Sequence, residues 1–186
     1  MSTSSGPSTV HVVAGPAGSG KSTLGRALAS STDAVLLDQD VLTNPLMAEL
    51  AALLGAGENL DHPALRGPVR RARYDCLIDV AVENSALGRN VVMVAPFTRE
   101  CSDPLAWSEL VRHFAPARVA LVWVTVSPAL ARARRIQRNL PRDAVAQLIS
   151  PDGPVTEPVV EHLRASGSAD PAAEAARLVG LSTRLG

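Results

Sequence analysis

The sequence predicts an α/β fold of the three-layer α/β/α kind, with a five-stranded parallel sheet between two layers of helices. Three observations predict it. Five short apolar runs recur along the chain with helical patterns between them. A glycine-rich loop stands between the first run and the first helical pattern. A length of 186 residues with 46% hydrophobic content suits one α/β domain with a substantial core and is short for two.

Residues 1–9 are rich in Ser, Thr, Gly and Pro and read as a flexible tail, leaving 10–186 as a single domain. The first strand is Val10-His11-Val12-Val13-Ala14, a β-branched run suited to a buried parallel strand. After the loop, Ser22–Ser30 reads as a helix with Leu24, Ala27 and Leu28 apolar. Ala34–Leu37 is the second strand, and a helix over Leu46–Leu54 stops at Gly55-Ala56-Gly57. Val69–Leu87 is long and amphipathic, ends at Gly88, and leads into a third strand, Asn90–Ala95. Helix Pro104–Phe114, strand Val119–Val126 and helix Pro128–Gln137 follow, with Asp143–Ile149 a short helical candidate. A weaker strand over Glu161–Ala165 precedes the last helix, Pro171–Leu181, with Asp170 as its N-cap and Pro171 at its first position. Right-handed crossovers between such strands cover the sheet on both faces and place ligands beyond the strands' C-terminal ends.

The loop is Gly15-Pro16-Ala17-Gly18-Ser19-Gly20-Lys21-Ser22, followed by Thr23, and fits the phosphate-binding pattern G-x-x-x-x-G-K-[ST]. Strand, glycine loop and helix is the context that pattern requires: loop N–H groups and the helix N-terminus converge on an anion. Lys21 is the sole lysine beside 17 arginines. A compact ammonium on a flexible stem can follow β- and γ-phosphates where a planar guanidinium is too wide. Gly15, Ala17, Gly18, Ser19, Gly20, Lys21, Ser22 and Thr23 are therefore the expected nucleotide contacts, with the Ser22 hydroxyl on Mg²⁺.

Other classes recede. Formal net charge is zero and the pI is about 6.9, against a large nucleic-acid footprint. No apolar run approaches membrane-spanning length, and the N-terminus lacks the regions of a signal peptide, so a cytoplasmic protein is expected. Cys76 and Cys101 have neither metal nor redox spacing and read as reduced structural thiols. His11, His62, His113 and His162 form no ligand cluster.

The second strand runs into Asp38-Gln39-Asp40. On a strand, residues i and i+2 share a face, so both carboxylates would enter the crevice. One would help hold Mg²⁺ while the other accepts a hydroxyl proton or fixes the acceptor. An N-cap plus a solvated Asp is the plainer alternative. The third strand ends in Ala95-Pro96 without an acid, which shifts weight from motor and switch proteins towards small kinases and raises the importance of Asp38. Arg99, just beyond, could clamp the acceptor or the transferring phosphoryl, or be a surface residue. Arg132, Arg134, Arg135, Arg138 and Arg142 form an arginine-rich segment in which Arg134 and Arg138 share a helix face. It suits a lid that closes on base and phosphates, or a solvated basic face.

On Gly15–Thr23, Asp38-Gln39-Asp40-Val41-Leu42 with Asn44-Pro45, and Arg134-x-x-x-Arg138-x-x-Pro141-Arg142-Asp143, the chain resembles the small P-loop kinases with an adenylate-kinase-like core. Gluconate kinase, shikimate kinase and chloramphenicol phosphotransferase are of this type. The resemblance implies a P-loop NTPase fold whose parallel sheet carries a lid over about 134–158 and an acceptor-binding region over about 43–75. It implies Asp38 and Asp40 for Mg²⁺ and the acceptor hydroxyl, Arg134 and Arg138 at the lid, and Gly167-Ser168-Ala169 beside adenine. The acceptor regions of gluconate and shikimate kinases are not recognisable between Thr43 and Tyr74, so no named substrate carries over.

The expected activity is transfer of a γ-phosphate from ATP, with Mg²⁺, to a hydroxyl of a small polar metabolite or natural product. Lys21, Asp38, Asp40, Arg99 and Arg138 are the candidate catalytic residues. Arg66, Arg70, Arg71, Arg73 and Tyr74 either line the acceptor site or form an exposed helix face. A polynucleotide 5′-hydroxyl kinase and a nucleotide-binding regulatory protein with little transfer activity are the alternatives. Oligomeric state is not legible.

Overall fold

A computed structural model describes residues 7–56, 62–65, 67–138 and 156–182. The short helix expected over Asp143–Ile149, Arg66, Arg142 and most of the expected lid lie outside the described residues. Five strands, β1 (Thr9–Ala14), β2 (Val35–Asp38), β3 (Val91–Val94), β4 (Arg118–Thr125) and β5 (Leu163–Ser166), form one sheet in the order β2-β3-β1-β4-β5. Every pairing is parallel. The chain runs from β1 outward to β2 and β3, then crosses to β4 on the other side of β1. The reversal therefore falls beside β1, and the loop leaving its C-terminal end occupies the position where open α/β sheets bind ligands.

The strands are nearly continuous apolar runs because both faces are covered. Successive side chains alternate between two cores. Val10, Val12, Val91, Met93, Leu121 and Trp123 face Leu77, Ala81, Phe97 and Leu110. Val13, Val92, Val94, Val122 and Val124 face Leu24, Leu28, Ala175 and Leu178. The first layer comes from α3 (Pro68–Ala86) and α5 (Pro104–Arg112), the second from α1 (Lys21–Thr32) and the C-terminal helix α7 (Pro171–Ser182). Helix α1 comes so close to the sheet that a Cβ on Gly25 would sit 2.5 Å from Val94 Cγ2. That contact sets the height of the helix whose N-terminus ends at the loop.

Several boundaries shift by a few residues, and three departures from expectation are larger or bear on the site. Thr9 already belongs to β1, and Arg118 N–H donates to the Ser8 carbonyl at 2.9 Å, so the end of the supposed tail is tied to the sheet. Helix α2 runs Gln39–Leu53 instead of starting at Leu46, because the Asp38 carboxylate caps it and Pro45 is carried inside it. A five-residue helix, α4 (Thr98–Ser102), follows the left-handed Phe97. Helix α6 spans Pro128–Arg138. Among the described residues no helix is long and apolar enough to cross a membrane.

Candidate active site

Between β1 and α1 the backbone turns through Gly15, Gly18 and Gly20 at φ 145°, 81° and 97°. Only glycine takes these values without strain. Gly20 is also the N-cap of α1, and no side chain caps that helix. First-turn N–H groups point out of a helix N-terminus, and Gly20, Lys21, Ser22 and Thr23 there line a cleft of about 510 Å³. The partial positive end of α1 thus faces the cleft. The Lys21 ammonium reaches back over the loop and donates to the Pro16 carbonyl at 2.8 Å. Ser19 is fully buried, its N–H bonded to the Pro16 carbonyl at 3.2 Å.

Three neighbouring elements press on the loop so closely that its glycines have no substitutes. A Cβ on Gly15 would fall on the Val124 carbonyl of β4, and one on Gly18 would lie 2.5 Å from the Ala131 carbonyl of α6. Gly167, in the β5–α7 turn, abuts the Ser19 carbonyl with no room for a side chain. That turn is itself held on several sides. Gly167 N–H donates to the Thr125 carbonyl at 2.8 Å, Ser166 N–H donates to Glu174 Oε1 at 2.8 Å, and Asp170 caps α7 through Ala173 N–H at 2.9 Å. Hydrogen bonds from Arg177 and Ser166 hold the Glu174 carboxyl below its usual range, so it is ionised at neutral pH. Arg134 joins loop and turn: Nη1 donates to the Gly18 carbonyl at 3.4 Å and Nη2 to that of Gly167 at 2.9 Å. Arg134, Gly167, Ala169 and Pro171 complete the cleft lining.

Gly18, Gly20, Lys21, Ser22, Thr23, Arg134 and Gly167 meet at this cleft, whereas Gly15, Ala17 and Ser19 do not line it. Ser168 does not line the cleft; its hydroxyl turns to that of Ser166, 3.0 Å away. Ala169, the next residue of the expected segment, lines that wall, with Pro171, which the sequence alone does not place there. Arg138 ends α6, and its side chain lies outside the described residues.

Asp38 and Asp40 do not share a strand face. The strand stops at Asp38, whose Oδ1 accepts the Asp40 N–H at 3.0 Å, and Asp40 sits in the first turn of α2. The strand spacing rule fails because the cap changes the backbone between the two residues. Asp38 remains at the same end of the sheet as the loop. It pairs in register with Val94, which pairs with Val13. Two strand spacings put its Cα about 10 Å from that of Val13. Asp40 forms an ion pair with Arg73 Nη2 at 3.0 Å. Arg73 also donates through Nε to Thr43 Oγ1 at 2.7 Å and through Nη2 to Asn44 Oδ1 at 3.0 Å, so one guanidinium organises the first turns of α2 from α3. Arg70 lies over the Tyr74 ring, 5.9 Å from its centroid, and donates to Thr98 Oγ1 at 3.0 Å. The Tyr74 hydroxyl in turn accepts the Phe97 N–H at 3.1 Å.

Arg99 is corrected as well. Its side chain is 68% exposed and pairs with Glu109 of α5 at 3.2 Å, away from the cleft lining, because α4 directs it along the surface. The Cys101 thiol is inert: burial, reinforced by Glu100, pushes it up to about 12.

Among the described residues no three of His, Cys, Asp and Glu gather as a metal site. The donors on offer are the Ser22 hydroxyl at the cleft and the Asp38 carboxylate. That sparse oxygen set fits Mg²⁺ bound mainly through phosphates and water, and no self-sufficient protein cage.

A family model described as an AAA domain matches residues 10–150. No curated protein matches the chain. Solved structures share its architecture at low identity. A gluconokinase from Sinorhizobium meliloti is 20% identical, with a TM-score of 0.60 and coverage of 96% of this chain and 95% of that one. The APS kinase of Mycobacterium tuberculosis in complex with AMPPNP and APS is 20% identical, with a TM-score of 0.65 and coverage of 95% and 97%. A sugar kinase from Janibacter is 15% identical, with a TM-score of 0.57 and coverage of 94% of each chain. With a glycine loop of this geometry on a five-stranded parallel sheet, the chain belongs to the AAA domain family and has the P-loop fold that these kinases share.

Proposed function

We propose that the chain is an ATP- and Mg²⁺-dependent phosphotransferase, acting in the cytoplasm on a hydroxyl of a small polar metabolite or natural product. The observation that carries this is the convergence on one cleft of the loop, the uncapped N-terminus of α1, Lys21 and Arg134, with the Gly167 turn as its far wall. Lys21 exchanges its Pro16 carbonyl for the β- and γ-phosphates, while loop N–H groups and the helix dipole hold their charge. Ser22 and Asp38 would hold Mg²⁺, which supplies charge neutralisation between the phosphates. Arg134 and the Gly167 turn embrace the nucleoside side, and Arg138 closes on the phosphates. Asp40, fixed by Arg73, orients the acceptor hydroxyl and takes its proton.

Two supports come from outside the cleft. The solved structures of this fold include a gluconokinase, a sugar kinase and an APS kinase, the last with AMPPNP in its complex. Zero net charge disfavours an extended nucleic-acid acceptor. Incubation of the purified chain with γ-labelled ATP and a panel of sugars, amino alcohols, nucleosides, antibiotics and a 5′-hydroxyl oligonucleotide tests the reading. Label on one small hydroxyl acceptor is expected. Label only on the oligonucleotide, or ATP binding with no acceptor labelled, would overturn it.

A further inference from the structure

Arg135, on α6, does not line the cleft. Ala131, Arg134 and Arg135 stand at i, i+3 and i+4 and therefore share a face, and all three bear on the glycine loop. The Ala131 carbonyl is packed against Gly18, Arg134 donates to the Gly18 carbonyl, and Arg135 Nη1 donates to the Ala17 carbonyl at 3.3 Å. With Lys21 on the Pro16 carbonyl, three successive loop carbonyls are each met by a cation. Arg135 has no carboxylate partner among the described residues, and its Nε is shut from water without an acceptor. A guanidinium used merely for solubility would not be held that way, since an unsatisfied buried donor is unfavourable.

A trans peptide is planar, so its C=O and its N–H point in opposite directions. A cation that holds the Ala17 carbonyl on the α6 side therefore holds the Gly18 N–H on the other side. Gly18 lines the cleft. At φ 81° with no Cβ, its two flanking peptides would otherwise rotate readily, so an external hold is what keeps this amide aimed.

We propose that Arg135 is a positioning residue of the donor site: it pins the Ala17–Gly18 peptide from α6 so that the Gly18 N–H is presented to an incoming polyphosphate. It does not touch the nucleotide. The proposal rests on the loop being a phosphate site, the reading given above.

Titration calorimetry of the full chain with ATP and with inorganic tripolyphosphate, each with Mg²⁺, tests it in three variants. Arg135→Met keeps the stem and removes the bond; affinity for both ligands is expected to fall about tenfold, the scale of one charged hydrogen bond. Arg135→Lys keeps the charge and a donor and should recover most of the loss. Arg132→Met removes the same charge from an exposed neighbouring position and should change affinity less than about twofold, since exposed charges are screened. Unchanged binding in Arg135→Met would overturn the proposal. So would an equal loss in Arg132→Met, which would make the effect one of bulk charge. A wild-type chain that binds neither ligand would instead overturn the phosphate-site reading itself. Should Arg135→Met not fold, Arg135→Gln, neutral and shorter, takes its place: a loss greater than that of Arg132→Met supports positioning, and one no greater opposes it.

Discussion

Adding one methyl group to Gly167 places it on the Ser19 carbonyl, backbone against backbone, where no side-chain rotation can relieve the contact. The turn or the loop must move. Glu174, Asp170 and the Thr125 carbonyl hold the turn, while Val124 and Ala131 bracket the loop, so displacement disturbs several contacts at once. Overpacking of this kind costs about 1–3 kcal/mol. The Arg134 bond to the Gly167 carbonyl, a charged hydrogen bond worth about 1.5–3 kcal/mol, weakens with it. Partial relaxation keeps the two from adding fully, and a loss of about 2–3 kcal/mol is expected for Gly167→Ala. For a chain of this size that lowers Tm by roughly 5–10 °C. ATP affinity should fall at least about tenfold, because both displaced segments line the cleft. Gly180→Ala is the control: it lies in α7 with open space where its Cβ would go, and helix propensity should stabilise it by about 0.5–1 kcal/mol. Differential scanning fluorimetry and ATP titration of the two variants read both quantities. A Gly167→Ala protein that melts and binds ATP like wild type would refute the close apposition of turn and loop.

Other perturbations separate structural from chemical roles. His11 is buried and desolvated, its pKa lowered to about 4. Because the folded value lies below the unfolded 6.5, the unfolded chain takes up the proton first. Stability is therefore full above pH 6.5 and declines as pH falls towards 4, by up to about 3 kcal/mol; urea unfolding across that range should show the slope, and His11→Gln should flatten it. Asp40→Asn retains an acceptor for Arg73 but no base, so turnover should drop about 10²–10⁴-fold while ATP affinity changes little; equal losses in both would assign the carboxylate to the metal. Arg99→Ala removes only an exposed ion pair worth about 0–1 kcal/mol, and steady-state kinetics should find its transfer rate within about twofold of wild type.

The loop, the helix that follows it and the sheet were legible because their signals are local in sequence. Glycines, a lysine and a hydroxyl within one loop specify both a turn and an anion site, and apolar runs around them specify a sheet covered on both faces. The proposed acceptor region depends on contacts between distant segments. The apolar pattern marks a helix only from Leu46, whereas the Asp38 cap starts α2 at Gln39 and tertiary packing of Met47 and Ala51 accompanies the helix past Pro45. The partnership of Arg73 with Asp40, Thr43 and Asn44 bridges about thirty residues and leaves no periodic signal. The sequence left Arg99 open between a clamp and a surface residue because position after a strand end locates a backbone, while α4 and Glu109 decide where the side chain goes. The Ala131–Arg134–Arg135 face was present as a helical spacing, but its partner is a loop over a hundred residues earlier.

The most direct test of the donor site is transfer of label from γ-labelled ATP by wild-type chain and by Lys21→Ala, each shown folded by circular dichroism. Loss of the ammonium proposed to meet the phosphates should lower transfer by about 10²–10³-fold with the fold intact. A folded Lys21→Ala chain that transfers phosphate at the wild-type rate would contradict the account at its centre.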